Sequence, residues 1–395
     1  MTPDRGSDAG SPREAVVVGA GIGGLAAAVA LRAAGWQVSV LEQARSLKAV
    51  GAGITLWPNA VRALDALGVP MRQHASFGTG GLRDSGGRWL SRSDTADYPV
   101  RYGAPLVAVH RADLQQALLG ALPPGTVTCG TRVAALHQGP ARACVEHTAG
   151  TTRAALVVLA DGLASATRAA VAGPGPRPRY AGYTAWRGVT ALGVGQPGMA
   201  GQTGTTESWG RGQRFGIVPL ADGRTYWFAT GNAPEGERAA GGEHAEVLRR
   251  FAGWHAPVAQ VLAGTEARAV VRHDVYDLQP HPTTYVRGRL VLLGDAAHAM
   301  TPNLGQGACQ ALEDAATLGA LLQPGCDPDA ALARYDALRR RRAELVARTS
   351  RQVGRAGQLR GRGVTAARDA LLRLTPAGAS ERQLARTLAW DLPVP

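Results

Sequence analysis

Val16-Val17-Val18-Gly19-Ala20-Gly21-Ile22-Gly23-Gly24 is the stretch that decides the fold. An apolar β-branched run enters a Gly-x-Gly-x-x-Gly turn, and an Ala/Leu-rich segment follows to about residue 34. The pattern predicts a buried strand over about 14–19, a tight turn, and a helix over about 22–34 stopped at Gly35. Each glycine has its own task. Gly19 makes the turn, Gly21 lets backbone approach a pyrophosphate, and Gly24 lets the helix pack close to the strand. The phosphate then sits at the helix N-terminus, where free N–H groups and the helix dipole favour negative charge. Trp36 to Glu42 reads as the next strand. Glu42, eighteen residues past Gly24, stands where a carboxylate can hold adenosine ribose hydroxyls.

Two later segments repeat the strand-then-glycine pattern. Leu156-Val157-Val158-Leu159-Ala160 ends in Asp161-Gly162, and Leu290-Val291-Leu292-Leu293 ends in Gly294-Asp295. The second is followed by Pro302-Asn303-Leu304-Gly305-Gln306-Gly307, which opens a helix running to about Leu322. A lone Gly-x-Gly-x-x-Gly turn is weak evidence for a dinucleotide. The three segments together, in this order and spacing, are specific.

Together they resemble the single-component FAD-dependent aromatic hydroxylases, the para-hydroxybenzoate hydroxylase-like flavoprotein monooxygenases. The branch most similar is that of salicylate hydroxylase, urate hydroxylase and zeaxanthin epoxidase, and the resemblance runs over about residues 14–345. It implies an α/β fold: a Rossmann-like FAD-binding domain, an inserted and mainly antiparallel β-sheet substrate domain, and a C-terminal helical segment. The domain boundaries expected are a disordered leader over 1–13, FAD domain over 14–178 and 287–330, substrate sheet over 179–286 with contributions near 70–105, and C-terminal helices over 331–395.

The resemblance also implies roles at named positions. Non-covalent FAD would be held by Gly19, Ala20, Gly21, Ile22 and Gly24, by Glu42 and Gln43, by Gly53 of the Gly51-Ala52-Gly53-Ile54 segment, and by Arg111 and Val133. Lys48 stands before that segment where many relatives carry arginine, without arginine's bidentate fork. Asp161 belongs to an Asp-Gly-x-x-Ser-x-x-Arg element completed by Ser165 and Arg168, and the alternative there is a capped strand-to-helix turn. Asp295 resembles the aspartate that accepts hydrogen bonds from the ribityl chain. Gly305, Gln306, Gly307 and Ala308 open a helix whose N–H groups face the flavin pyrimidine edge, and Pro302 lies near the flavin carbon 4a. His298 either packs in the loop or takes part in catalysis.

The implied activity is NAD(P)H- and O2-dependent hydroxylation or epoxidation of an aromatic or other electron-rich molecule through a flavin C4a-hydroperoxide. An aromatic or polyene substrate is expected, in secondary metabolism or aromatic catabolism, with NADPH or NADH as co-substrate. Arg214 and Tyr226 lie on two adjacent expected strands, and their spacing of twelve matches an Arg/Tyr pair of urate hydroxylase-like relatives. An arginine beside a phenol lowers its pKa, which suits an acidic substrate; the alternative is two ordinary sheet residues. Arg187 in Trp186-Arg187-Gly188 faces either the cavity or a structural partner. A halogenase on the same fold needs a tunnel lysine and a Trp-x-Trp motif, and the sole lysine here is Lys48 with no Trp-x-Trp. A flavin oxidase or reductase, or a non-catalytic FAD-binding protein, are the other readings; oxygen incorporation and NADPH-driven oxygen consumption separate them.

Composition bounds the partners. A chain of 395 residues suggests two or three domains, and no run of eighteen apolar residues predicts a transmembrane helix. Four scattered cysteines point to a reducing cytoplasm without disulfides or a metal site. The net charge of +13 is carried almost wholly by arginine. No recognition motif accompanies it, so neither nucleic acid nor membrane docking is expected. Arg339-Arg340-Arg341-Arg342 reads as the solvated basic face of a helix. A monomer or homodimer is expected.

Overall fold

The computed structural model describes residues 13–47, 52–139, 141–199 and 201–394. The residues around Lys48 and Gly51, and the leader before Arg13, lie outside the described residues.

Strand Glu14–Val18 is central in a six-stranded sheet, flanked by Leu156–Leu159 and Gln37–Glu42. Leu290–Leu292 follows on one side, then Val286–Arg287 at the edge, and Val127–Cys129 closes the other side. All pairs are parallel except the Val286–Arg287 edge. Strands covered on both faces read as continuous apolar runs, and Leu156 to Leu159 are all buried.

Helices Ile22–Ala33 and Gly307–Leu321 cover this sheet and pack on each other. A Cβ on Gly319 would lie 2.8 Å from the Ala30 Cβ, and one on Gly23 would lie 2.8 Å from Leu293 Cδ2. Small residues thus let the two helices pack closely on each other and on the strand end at Leu293.

The second sheet has seven strands in the order Val271–Gln279, Arg177–Thr190, Thr225–Asn232, Gln213–Pro219, Thr206–Trp209, Thr79–Asp84 and Trp89–Asp94. One face is sealed by Trp186, Phe215, Ile217 and Trp227 against Val247, Phe251, Val258 and Val261. The segment His244 to Leu262, which reads as one helix, is two: Glu243–Phe251 and Val258–Ala263. Gly253 at φ +90° and Pro257, which lacks an N–H, interrupt it. Three helices end the chain, Pro328–Gly357, Arg362–Leu374 and Ala377–Leu388.

Candidate functional site

The Gly-rich turn is shaped by its glycines. Gly19 has φ +100°, and a Cβ there would lie 2.5 Å from the Ala160 carbonyl oxygen. A Cβ on Gly24 would lie 1.9 Å from the Gly19 oxygen, whereas one on Gly21 would meet nothing within 4 Å. Gly19 and Gly24 are therefore needed by the fold, and Gly21 keeps space open in front of the helix. Ile22 is buried beneath the turn.

Glu42 holds the same turn. Its Oε2 accepts from Ala20 N at 2.7 Å and its Oε1 from Ala44 N at 2.7 Å, leaving further lone pairs on both oxygens. Gln43 is exposed beside it. Thr131 N donates to the Glu42 carbonyl, which brings partly buried Val133 behind the strand end. Gly53 pairs with His110, and Arg111 N donates to the Ala52 carbonyl at 3.0 Å. The Arg111 side chain is exposed and has no ion pair among the described residues.

The other two strand ends are tied together by one side chain that sequence reasoning gave no separate role. Arg168 is buried; its Nε donates to the Ala296 carbonyl at 2.7 Å and its Nη2 to those of Leu163 and Gly162. Asp161 accepts from Thr167 N and Oγ1 through Oδ2, while its buried Oδ1 has no partner. Asp295 is exposed in front of buried Ala296, Ala297 and His298, and no described residue bonds its carboxylate. Pro302 is also exposed. Gly305 adopts φ +62° and turns the chain into helix Gly307–Leu321, whose start carries no side-chain cap. The first N–H groups of Gly307 and Ala308 thus remain available, as at any uncapped helix start. Gln306 instead turns inward and accepts from Asn59 Nδ2 at 2.9 Å.

His298 is structural. It is fully buried, with Nε2 2.6 Å from Asp314 Oδ2. Burial pushes the Asp314 carboxyl up, but His298 and Arg339 outweigh it and hold it well below the usual carboxylate range. Arg339 is buried too and also pairs with Glu313 at 2.6 Å, as Arg342 does at 2.5 Å. The basic run therefore does not present a uniformly solvated face. Two of its four arginines neutralise carboxylates of helix Gly307–Leu321, which no local pattern reveals.

On the seven-stranded sheet, the structure separates Arg214 from Tyr226. Arg214 pairs in register with Thr230 and Tyr226 with Val218, so the two share a face but stand four residues apart, about 13 Å along the strands. Arg214 is 1 % exposed and committed elsewhere, to Glu207 at 3.1 Å, to Thr230 Oγ1 and to Asn303 Oδ1. Asn303 also accepts from the Tyr183 hydroxyl and donates to Thr301 Oγ1 and the Ser350 carbonyl.

Tyr226 has a different arginine. Arg187 lies across from Phe228, one diagonal step from Tyr226 on the same face of the sheet, so its charge stands close to the phenol. Burial raises the Tyr226 pKa; Arg187, with Arg111 nearby, only partly opposes this. The group is a neutral phenol at physiological pH, not the arginine-activated phenolate that the spacing suggests. A Cβ on Gly53 would lie 2.4 Å from the Tyr226 Cβ, so this residue seats the sheet directly on the strand that precedes Trp57. Arg187 has no acidic partner among the described residues.

Among the described residues no helix is long and apolar enough to cross a membrane. Comparison with known proteins gives this geometry its family. The family model described as FAD binding domain matches residues 13–350. The chain is 40% identical over 376 residues to the aurachin C monooxygenase/isomerase of Stigmatella aurantiaca, covering 94% of this chain and 96% of the relative. It is 36% identical to the FAD-dependent urate hydroxylase of Klebsiella pneumoniae, over 82% of this chain and 85% of the relative. The crystal structure of Klebsiella pneumoniae HpxO complexed with FAD and uric acid superposes with a TM-score of 0.87 at 33% identity, covering 95% and 96% of the two chains. With three strand ends converging on one Gly-lined space and matches of this extent, the chain belongs to the FAD-binding family of flavin-dependent monooxygenases.

Proposed function

We propose that the protein uses NAD(P)H and O2 to hydroxylate or epoxidise a small aromatic or otherwise electron-rich molecule held between the strand ends and the seven-stranded sheet. The observation that carries this reading is the seating of Tyr226 on Gly53, with Arg187 one diagonal step away on the same sheet face, beside the turn elements that fit FAD. The relatives named above act on aurachin and on urate, both electron-rich ring systems, which supports that substrate class.

The residues present fit FAD. Gly21 leaves space for a pyrophosphate at an open helix start, Glu42 retains lone pairs for ribose hydroxyls, and Asp161 carries a buried, unpartnered oxygen. Asp295 offers an uncommitted carboxylate to the ribityl hydroxyls, and the uncapped start of Gly307–Leu321 offers N–H groups to the ring edge. When bound, FAD accepts hydride from NAD(P)H and activates dioxygen.

The chain's own residues supply position and exclusion of water. Arg168 fixes the second and third strand ends relative to each other, so the groups around Asp161 and Asp295 stay in register. Fixed N–H groups and the dipole of Gly307–Leu321 favour negative charge at the ring edge without reorganising. Tyr226, as a neutral phenol beside Arg187, can donate to or accept from a polar atom of the substrate. Apolar neighbours Ala108, Val189, Val218 and Phe228 keep that corner dry.

We place the enzyme in a reducing cytoplasm, where its four free cysteines stay thiols, as a monomer or homodimer with separate cofactor and substrate domains. The test is NAD(P)H oxidation by the FAD-loaded protein across a panel of phenols, quinolones, purines and polyenes. Stimulation by a ring compound with formation of an oxygenated product is expected. Oxidation indifferent to every member, with no product, would overturn the substrate class.

A further inference from the structure

Helix Arg362–Leu374 lies on the edge of the seven-stranded sheet, and its two sides differ. Thr365 and Arg368 are buried against the protein, with Arg368 over the Trp209 ring and bonded to the Gly210 carbonyl. Outward, Val364 is 54 % exposed, Leu371 69 % and Leu374 79 %, with exposed Ala367 between them. Positions 364, 367, 371 and 374 follow the i, i+3, i+7, i+10 spacing of one helix face. Soluble proteins do not usually line up large aliphatic side chains at such exposure.

The surroundings are basic. Arg355, Arg360 and Arg362 are exposed and have no ion pair among the described residues. They lead straight into the apolar row. A second copy of this chain is a poor occupant, because a two-fold contact would bring two such arginine clusters, without acidic partners, into one interface. Nucleic acid would meet the charges but leave the aliphatic row unserved. An interface combining negative charge with hydrocarbon satisfies both.

We propose that this face docks the enzyme on an anionic lipid surface, with Val364, Leu371 and Leu374 entering the boundary between headgroups and acyl chains and Arg355, Arg360 and Arg362 engaging the headgroups. This revises the expectation, drawn from motifs alone, that no membrane is involved; the exposed row becomes visible only once the buried side of the helix is known. Docking would bring close to the bilayer a cavity of about 210 Å³ lined by Arg355 and Gln358 on one side and by Tyr183 and Asn303 on the other. The proposal does not depend on the substrate class.

The test is co-sedimentation of the FAD-loaded full chain with phosphatidylglycerol vesicles and with phosphatidylcholine vesicles. Binding to the first, little to the second, and weakening at high salt are expected. Leu371→Ser/Leu374→Ser should lower partitioning about tenfold or more, and Arg360→Glu/Arg362→Glu should do the same while also removing the salt dependence. Both variants should keep wild-type melting temperature and basal NAD(P)H oxidation. Failure to sediment with anionic vesicles would overturn the proposal. So would leucine variants that bind as well as wild type, or an apolar row that instead governs a concentration-dependent dimer in light scattering.

Discussion

Asp295→Ala tests the proposal that this carboxylate serves the cofactor and not the fold. Its carboxylate is exposed and has no partner among the described residues, so replacing it removes no interaction that the apoprotein makes. The melting temperature of the apoprotein should therefore change little, since surface substitutions away from such features stay within about 0.5 kcal/mol. In the proposed assignment the same carboxylate accepts a charge-assisted hydrogen bond from the ribityl chain, worth about 1.5–3 kcal/mol. FAD affinity should then fall about 10- to 100-fold.

Asp314→Asn supplies the contrast. That carboxylate is fully buried between His298 and Arg339, and breaking such a pair typically costs about 3–5 kcal/mol. Flavin fluorescence titration of apoprotein and differential scanning calorimetry give the two readouts. An Asp295→Ala protein that binds FAD like the wild type, or that loses as much apoprotein stability as Asp314→Asn, would refute the assignment.

Other outcomes follow from the same geometry. Gly21→Ala should fold normally yet bind FAD poorly, because its Cβ meets only open space, where the pyrophosphate is proposed to lie; Gly24→Ala should lose both, because its Cβ would lie 1.9 Å from backbone. Thermal melts alongside FAD titrations check this. Tyr226→Phe should keep FAD content and basal NAD(P)H oxidation but divert turnovers from product to hydrogen peroxide, by about 10²-fold or more if the phenol handles a proton; a product-to-peroxide ratio equal to wild type would return the residue to a packing role. Stability should fall on acidification. The Asp314 carboxyl is depressed in the folded state, so its contribution is full above the unfolded pKa and is lost as pH falls through the folded value. Asp314→Asn should flatten that acid limb in melts recorded from pH 6 down to about 3.

The cofactor half of this protein is legible because its constraints are local. Gly19, Gly21 and Gly24 are dictated by a turn six residues long, and the strand-to-Asp pattern at Asp161 and Asp295 repeats within short windows. The substrate side is written across strands. A spacing of twelve between Arg214 and Tyr226 says nothing of register, and register sends Arg214 to Glu207 and Asn303 while giving Tyr226 to Arg187. Likewise, Arg339 looks like a surface charge until helix Gly307–Leu321 brings Glu313 and Asp314 to it from 26 and 25 residues away in sequence. The split of the 244–262 helix at Pro257 was readable in the residue type itself.

The measurement that tests the central claim most directly is the fate of the oxygen atoms. The FAD-loaded enzyme, supplied with NAD(P)H and a substrate that stimulates its oxidation, is run under isotopically labelled dioxygen, and the product is weighed by mass spectrometry. One labelled oxygen atom in the product is predicted. Product whose added oxygen is unlabelled, or complete recovery of the consumed dioxygen as hydrogen peroxide for every stimulating substrate, would contradict it.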